Sequence, residues 1–237
     1  MVARGDLAVE VGDAAVPGLQ KRMIRMAREL NKLTITATQM MESMIDSPVP
    51  TRAEVSDVAN AVLDGTDAVM LSAETAAGRY PVETIEAMAR VCIEADRHPA
   101  LEVNNAFLNR ALSRVDQSIA MSALFVASHL PVKAIVALTQ SGSTALWMSR
   151  IDSGVPVYAV TPEDGTRRRL TLFREVHPIL MQQRTFDREE VFRLVESLLL
   201  ERGAVDKGDL LLFTSGAPMG KSGGTNTLKI ARVGEHG

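Results

Sequence analysis

Short apolar segments alternate with amphipathic segments over the first hundred residues, with a repeat of about 33 residues. The apolar segments begin near Met1, Leu33 and Ala68, and their brevity and β-branched content are typical of buried strands. A polar loop and then a segment with helical periodicity follow each of them. Three successive strand–loop–helix units of this length predict parallel strands joined by right-handed crossovers.

Local signals mark the ends of the predicted helices, which begin near residues 15, 51 and 81. Thr51 and Glu54 form a capping box, Gly65 is suited to end the second helix, and Pro81 is suited to open the third. We predict one buried apolar stripe on each helix. The stripes are Val16, Leu19, Met23, Ala27 and Leu30; then Val55, Val58, Ala59 and Val62; then Ile85, Met88, Ala89 and Cys92.

Two architectures fit these three units, an open doubly wound sheet and part of an eight-stranded barrel. Three units cannot close a barrel alone, and Met1 already lies inside an apparent strand. We therefore interpret the start of the chain as a cut edge, with both architectures still open. The weakly periodic segment from His98 to Asp116 suits a linker, so the predicted domains are residues 1–97 and 98–237.

A second α/β alternation follows the linker and predicts a compact three-layer domain. Its last helix should bury Val191, Leu194, Val195 and Leu198. Helices are predicted at about 117–130, 144–151, 165–173 and 187–202, and strands at 134–138, 155–160, 178–181, 210–213 and 227–233.

Composition narrows the class of protein without identifying a function. The chain has 237 residues, 46% hydrophobic and 23% charged, which is typical of globular proteins. A net charge of -3 argues against a broad nucleic-acid surface. The single cysteine, Cys92, excludes an intramolecular disulfide and has the helical spacing of a core thiol. The four histidines lack metal-ligand spacing, so we expect no zinc site.

Membrane insertion and secretion are not expected from the sequence. No apolar run approaches the roughly 18 residues that a membrane helix needs. Arg4 and Asp6 interrupt the apolar stretch that a signal peptide would require. The sequence therefore predicts a cytoplasmic protein.

Polar residues follow each of the three predicted strands of the first half. They are Arg4-Gly5-Asp6, Thr38-Gln39-Met40-Met41-Glu42 and Ser72-Ala73-Glu74-Thr75. Carboxyl ends of parallel strands meet at one edge, so these loops should be neighbours. Gly5 permits close approach of backbone amides to an anion, and Asp6 is an oxygen ligand suited to magnesium. Each loop alone would suit an ordinary turn or helix cap; the three together predict a site.

At these loops the chain resembles the pyruvate kinase family. Met1–Leu7, Ala37–Met44 and Met70–Ala76 are similar, in order, to the family's sixth, seventh and eighth barrel strands with their loops. Residues 50–65 are similar to the helix between the last two. The resemblance implies a partial TIM-type (β/α) barrel of three units and then a regulatory α/β domain, which is the carboxy-terminal half of such an enzyme.

The resemblance also implies phosphoryl transfer between phosphoenolpyruvate and ADP, giving pyruvate and ATP in glycolysis. Asp6 would be one of two carboxylate ligands to Mg²⁺ or Mn²⁺. The amides of Gly5 and Asp6, with Thr38, would hold the substrate carboxylate. Thr38, Ser72 and Glu74 would belong to the relay that protonates the enolate. The full-length enzyme would use K⁺ and form a homotetramer.

Several parts of the family's active site precede the matched segment. They are the second metal carboxylate, the lysine opposite the transferring phosphoryl group, the potassium ligands and the lid domain. We therefore expect the 237-residue chain alone to be inactive. Ala77 stands where many members have a lysine, which affects nucleotide contacts. Two alternatives remain, a non-catalytic effector-binding module and an unrelated open α/β protein.

A hydroxyl-rich loop, Thr139-Gln140-Ser141-Gly142-Ser143-Thr144, precedes a predicted helix in the second half. Such a loop is either an anion nest or only a helix cap. It resembles the phosphate loop of the family's allosteric effector site, with an arginine in many members where Ser143 stands. The positions implied to bind phosphate are Thr139, Ser141, Gly142, Ser143 and Thr144. The glycine-rich loop Gly220–Asn226, with Lys221, is suited to close over the same ligand, whereas Arg167–Arg169 is predicted to be a solvated helix face.

Overall fold

The computed structural model describes residues 1–97, 112–151, 153–182 and 187–235. The chain divides into two compact units, Met1–Leu101 and Glu102–Gly237. The predicted boundary between residues 97 and 98 falls at the edge of the described residues, and most of the predicted linker lies outside them. The last two residues of that linker, Val115 and Asp116, already belong to a helix, so the predicted linker extends too far.

The first unit contains a three-stranded parallel sheet in the order β1-β2-β3. The strands are β1 (Val2–Ala3), β2 (Ile35–Ala37) and β3 (Ala68–Met70). Ala3 pairs with Ala37, and Ala37 pairs with Met70, so the three strands end in register. The predicted parallel strands are confirmed, and the segments that follow them start at one edge of the sheet.

Within residues 1–97, five α-helices lie between these strands or after them in the sequence. They are α1 (Arg4–Val11), α2 (Val16–Glu29), α3 (Arg52–Leu63), α4 (Ala73–Ala76) and α5 (Pro81–Asp96), with 3-10 turns at Asp13–Ala15 and Glu42–Ile45. The three predicted helices are α2, α3 and α5. The prediction of a loop at Arg4-Gly5-Asp6 is wrong, because α1 begins at Arg4 directly after β1.

The predicted ends of α3 are confirmed in detail. Glu54 N–H donates to Thr51 Oγ1 at 3.3 Å, and Thr51 N–H donates to Glu54 Oε2 at 2.8 Å. Gly65 has a φ of +89°, in the left-handed region that side chains rarely adopt. The backbone angle therefore accounts for glycine at this position.

The predicted stripes are partly wrong. On α2 the buried residues are Val16, Gln20 and Ile24, whereas Met23 and Leu30 are exposed. The α2 sequence carries apolar residues on two adjoining faces, and periodicity alone cannot choose between them. The α5 stripe is corrected in the same way. That helix buries Thr84, Ala87, Met88 and Ala95 and exposes Ile85 and Ala89.

Methionines dominate the core of the first unit. Met40, Met41 and Met44, from the segment after β2, are fully buried against Val58 of α3 and Met88 of α5. Cys92 packs half-buried against this cluster, as predicted for a core thiol. This packing anchors the segment after β2, which carries Thr38, to the helices behind the sheet.

The second unit contains a five-stranded sheet in the order β6-β5-β4-β7-β8, parallel except for β8, which pairs antiparallel with β7. Every predicted helix and strand of this half is present with shifted ends. The strands are β4 (Val132–Leu138), β5 (Val157–Thr161), β6 (Val176–Leu180), β7 (Leu210–Gly216) and β8 (Thr225–Arg232). The helices are α6 (Val115–His129), α7 (Ser143–Met148), α8 (Asp164–Leu170) and α9 (Arg188–Glu201).

One hydrophobic core of this unit lies between α9 and the sheet. Phe192 packs against Phe213 with ring centroids 4.5 Å apart, and Val195 and Leu199 are fully buried. Leu194, predicted to face the core, is 50% exposed. The predicted helix at 144–151 is shorter than expected, because α7 begins at Ser143 and ends at Met148.

Candidate active site and candidate effector site

Thr38 joins the segment after β2 to the first turn of α1. The backbone N–H of Gly5 donates to Thr38 Oγ1 at 3.0 Å. An N–H in the first turn of a helix has no acceptor within the helix, and Ala3 at the N-cap provides none. Thr38 therefore caps α1 from a neighbouring strand. Its own hydroxyl donates to the carbonyl of Ala37 at 2.6 Å.

The backbone at Thr38 and Gln39 adopts an uncommon conformation. Their φ angles are +69° and +54°, in the left-handed region that favours glycine. A β-branched residue there is an outlier, and such backbone costs on the order of 1–3 kcal/mol per residue. The surrounding contacts must hold this segment in place.

Arg4 supplies several of those contacts. Its side chain is 7% exposed, and its Nη2 donates to the carbonyls of Thr38 at 2.6 Å and of Gln39 at 3.0 Å. Its Nη1 pairs with both carboxylate oxygens of Asp57 on α3, at 2.7 and 2.6 Å. The guanidinium thus connects the end of β1, the segment after β2 and α3.

Glu74 connects the segments after β2 and β3. Its side chain accepts hydrogen bonds from the backbone N–H of Ser72 at 2.7 Å and of Met41 at 3.3 Å, and Ser72 Oγ lies 3.4 Å away. Burial raises the pKa of Glu74, but the donated hydrogen bonds outweigh it and hold that pKa below its usual range. Glu74 is therefore ionised at neutral pH, where its carboxylate acts as a hydrogen-bond acceptor.

Asp6 lies exposed in the first turn of α1, where the helix dipole favours a carboxylate. It offers oxygen atoms to a hard cation such as Mg²⁺. Within residues 1–97, 112–151, 153–182 and 187–235, no group of three or more His, Cys, Asp or Glu side chains is arranged to hold a metal ion. Asp6 is accordingly one ligand and does not make a metal site alone.

The structure thus brings the predicted residues of the first unit to one edge of the sheet in two linked pairs. Gly5 contacts Thr38, and Ser72 contacts Glu74, which reaches back to Met41 in the segment that carries Thr38. Sequence reasoning missed the structural partners Arg4, Asp57 and Met41. One signal was available for Arg4: a charged residue directly after a buried strand needs a partner.

The hydroxyl-rich loop of the second unit is held by its own contacts. Gly142 has a φ of +80°, and its N–H donates to Thr139 Oγ1 at 2.9 Å. Ser141 Oγ donates to Ser143 Oγ at 3.2 Å. Thr144 is 1% exposed, and its Oγ1 lies 2.8 Å from Thr225 Oγ1. Ser143 and Thr144 belong to the first turn of α7 rather than to a loop before it.

One cavity joins this loop to the glycine-rich loop. Thr139 and Ser143 line it from one side, and Gly220, Lys221 and Gly223 line it from the other. Both loops that were expected to share a ligand therefore face the same space, and Lys221 brings a positive charge to it.

The three arginines of α8, Arg167–Arg169, do not share the same partner. Arg167 and Arg168 pair with Asp164 on the exposed face, at 2.9 and 2.7 Å, as expected of a solvated helix face. Arg169 differs, because its Nη2 donates to the carbonyl of Ser141 at 2.5 Å. Sequence reasoning missed this second cation beside the hydroxyl-rich loop.

Two family models match the chain, and together they cover both units. The model described as the barrel domain of pyruvate kinase matches residues 1–85, and that of the pyruvate kinase alpha/beta domain matches residues 117–231. The chain belongs to the pyruvate kinase family. The barrel-domain match confirms the predicted partial barrel of this family member, whose three described strands do not form a closed barrel.

Three curated relatives of this pyruvate kinase family member have names that contain the words pyruvate kinase. "Pyruvate kinase" of Buchnera aphidicola subsp. Baizongia pistaciae is 49% identical over 236 residues, 98% of this chain and 49% of the relative. "Pyruvate kinase II" of Salmonella typhimurium is 51% identical over 234 residues, 98% of this chain and 48% of the relative. "Pyruvate kinase" of Methylorubrum extorquens is 45% identical over 234 residues, 98% of this chain and 49% of the relative. The chain spans about half the length of these relatives.

The helices of the described residues include no candidate for spanning a membrane. None that lies within the four described ranges combines the length and the apolar character needed to cross a bilayer.

Proposed function

We propose that the protein to which this chain belongs is a pyruvate kinase that transfers a phosphoryl group between phosphoenolpyruvate and ADP in glycolysis. The observation that carries the proposal is the convergence of Gly5, Thr38 and the Glu74-bound turn at one edge of a parallel sheet. The residues 1–97 would be the last three barrel units, and the protein would work in the cytoplasm. The complete protein would be a homotetramer.

The start of α1 suits the carboxylate of phosphoenolpyruvate. The amides of Gly5 and Asp6 lie in its first turn, where the helix dipole attracts an anion. The Thr38 hydroxyl lies against the same turn and can rotate from the Ala37 carbonyl to a substrate oxygen. Thr38 would therefore both orient the substrate and recognise its charge.

Asp6 would be one ligand of a divalent cation, Mg²⁺ or Mn²⁺, and the complete enzyme would also use K⁺. Such a cation neutralises charge on the transferring phosphoryl group, which is the main requirement of this reaction class. The exposed position of Asp6 leaves its carboxylate oxygens accessible for that role.

Protonation of the enolate would pass through the hydroxyls of Thr38 and Ser72. The proton would come from solvent water, while Glu74, which is ionised and holds the Ser72 backbone at 2.7 Å, would orient the relay. Glu74 therefore takes a different role from the two hydroxyls, although all three belong to the same relay.

A comparison of the complete protein with the 237-residue chain tests this function. Pyruvate formation from phosphoenolpyruvate and ADP should be readily measured for the complete protein and absent for the chain, which we propose to be an amino-terminally truncated part lacking several catalytic residues. In the complete protein, Asp6→Ala should lower kcat/KM by about 100-fold or more, because a metal ligand is lost. Glu10→Ala, an exposed acid on the same helix, is the matched control. Equal activity of wild type and Asp6→Ala would contradict the assignment.

The second unit would bind a phosphorylated effector, either a sugar phosphate or a nucleoside monophosphate, in the cavity between its two loops. Thr139, Ser143 and Lys221 line that cavity, while Ser141, Gly142 and Thr144 shape the loop. Calorimetry with a panel of such ligands should detect binding that Ser143→Ala weakens and Ser197→Ala, at an exposed position of α9, does not. Absence of heat with every ligand would leave the loop as a helix cap. Binding without activity in the complete protein would favour the alternative, a non-catalytic effector-binding module.

A further inference from the structure

Arg4 carries a guanidinium buried beneath the candidate active site. The whole residue is 6% exposed, and its contacts are with two chain segments distant in sequence. Nε lies 3.1 Å and Nη2 lies 2.6 Å from the carbonyl oxygen of Thr38, and Nη2 also reaches Gln39 O at 3.0 Å and Met40 Sδ at 2.8 Å. The planar fork of arginine suits such simultaneous donation, which an ammonium group cannot reproduce.

Asp57 explains why a charge is tolerated in this place. A buried cation is costly unless it is paired and hydrogen-bonded, and Asp57 receives two short bonds from Nη1. The Asp57 side chain is 36% exposed, so the pair lies at the border of the buried region. The pairing fixes the orientation of the guanidinium and neutralises it. Arg4 is therefore not suited to bind the substrate anion, despite its place beside Gly5 and Asp6.

The two carbonyls that Arg4 holds belong to consecutive residues with left-handed backbone, Thr38 and Gln39. Holding both carbonyls fixes the direction of two successive peptide planes, which is what a strained segment requires. We propose that Arg4, oriented by Asp57, is a positioning residue that keeps Thr38 and Gln39 left-handed and thereby holds the Thr38 hydroxyl against the amide of Gly5. The effect of Arg4 on the position of the Thr38 hydroxyl is independent of the proposed function. Only the contact of that hydroxyl with a substrate rests on it.

Amide hydrogen exchange at Gly5 in the 237-residue chain tests this without substrate. The Gly5 N–H is bonded to Thr38 Oγ1, so its protection reports the position of that hydroxyl. Arg4→Met should accelerate its exchange by about tenfold, because the strained segment relaxes. The exchange rate of the Gly5 N–H in Arg4→Lys should lie between the rates in Arg4→Met and in wild type. Arg97→Met, which removes an exposed arginine of the same unit, should leave it unchanged.

Adding Gln39→Gly separates positioning from general packing. Glycine adopts positive φ without the penalty that other residues incur. Adding Gln39→Gly to Arg4→Met should therefore slow the exchange of the Gly5 N–H by about fivefold relative to Arg4→Met alone. A merely structural role for Arg4 predicts no recovery. Unchanged exchange in Arg4→Met, or a loss that Gln39→Gly leaves in place, would overturn the inference.

Asp57→Asn provides the second variant if Arg4→Met does not fold. It keeps the guanidinium but loses its charged partner, and Gln39→Gly should suppress its effect in the same way. In the complete protein, Arg4→Lys should raise KM for phosphoenolpyruvate by a larger factor than it lowers kcat. Because exchange is measured without substrate, an inactive complete protein would refute the proposed function while leaving the exchange result to decide the role of Arg4.

Discussion

Replacing Glu74 by Gln removes a buried negative charge that two backbone amides share. The bond from Ser72 N–H is 2.7 Å long and that from Met41 N–H is 3.3 Å long, so the first is the stronger. A hydrogen bond to a charged group contributes about 1.5–3 kcal/mol. Gln keeps one carbonyl oxygen for Ser72, but its NH₂ group would face the N–H of Met41. We expect Glu74→Gln to lower the free energy of unfolding of the first unit by about 2 kcal/mol at pH 7.

The pH dependence identifies the carboxylate as the cause. The pKa of Glu74 is lowered in the folded protein, so its ionisation stabilises the fold above the unfolded-state pKa of about 4.3. That contribution disappears as the pH falls through the lowered native pKa. The difference between wild type and Glu74→Gln should therefore be largest near neutral pH and shrink in strong acid.

Urea denaturation followed by circular dichroism at several pH values is the assay. Trp147, the single tryptophan, lies on α7 in the second unit, and its fluorescence transition should not move. Glu86→Gln, an exposed acid on α5, is the matched control and should change the free energy of unfolding by less than about 0.5 kcal/mol. A difference for Glu74→Gln that stays the same at pH 3 and pH 7 would refute the reasoning.

Three further variants address the caps, the core and the second loop. Thr51→Ala should destabilise the first unit by about 1 kcal/mol in urea denaturation, since it removes a helix cap; no change would show the capping box to be dispensable. Leu199→Ala, at a fully buried site, should cost about 2–5 kcal/mol in the transition of the second unit, and a cost below about 1 kcal/mol would contradict the packing described for α9. Arg169→Gln should weaken effector binding several-fold by calorimetry, whereas Arg168→Gln should not; equal effects would remove the distinction between the two arginines.

Local signals explain most of what the sequence predicted about the fold. Brief β-branched segments, the Thr51–Glu54 capping box and Pro81 act within a few residues, so the strands and the starts of α3 and α5 were predicted from the chain. Helix α1 was missed for a physical reason. Its cap is Thr38, which lies 33 residues beyond Gly5 and is brought there by strand pairing.

The buried faces of the helices depended on contacts that periodicity does not contain. Thr84 is fully buried because its hydroxyl donates to the carbonyl of Tyr80 at 2.7 Å, which satisfies the polar group within the helix. The shared edge of the candidate site was predictable because parallel strands end on the same side. The partners of Arg4 and Arg169 were not, since each contacts a residue more than 25 positions away.

The central claim is that the Thr38 hydroxyl serves the chemistry of a pyruvate kinase site formed by three adjacent strand ends. Steady-state kinetics of the complete protein carrying Thr38→Val, compared with Thr38→Ser, tests it most directly. Valine keeps the shape but lacks the hydroxyl, so pyruvate formation should fall by about 100-fold or more in kcat/KM, while serine should retain most of the activity. Equal kcat/KM values for wild type, Thr38→Ser and Thr38→Val would contradict the account.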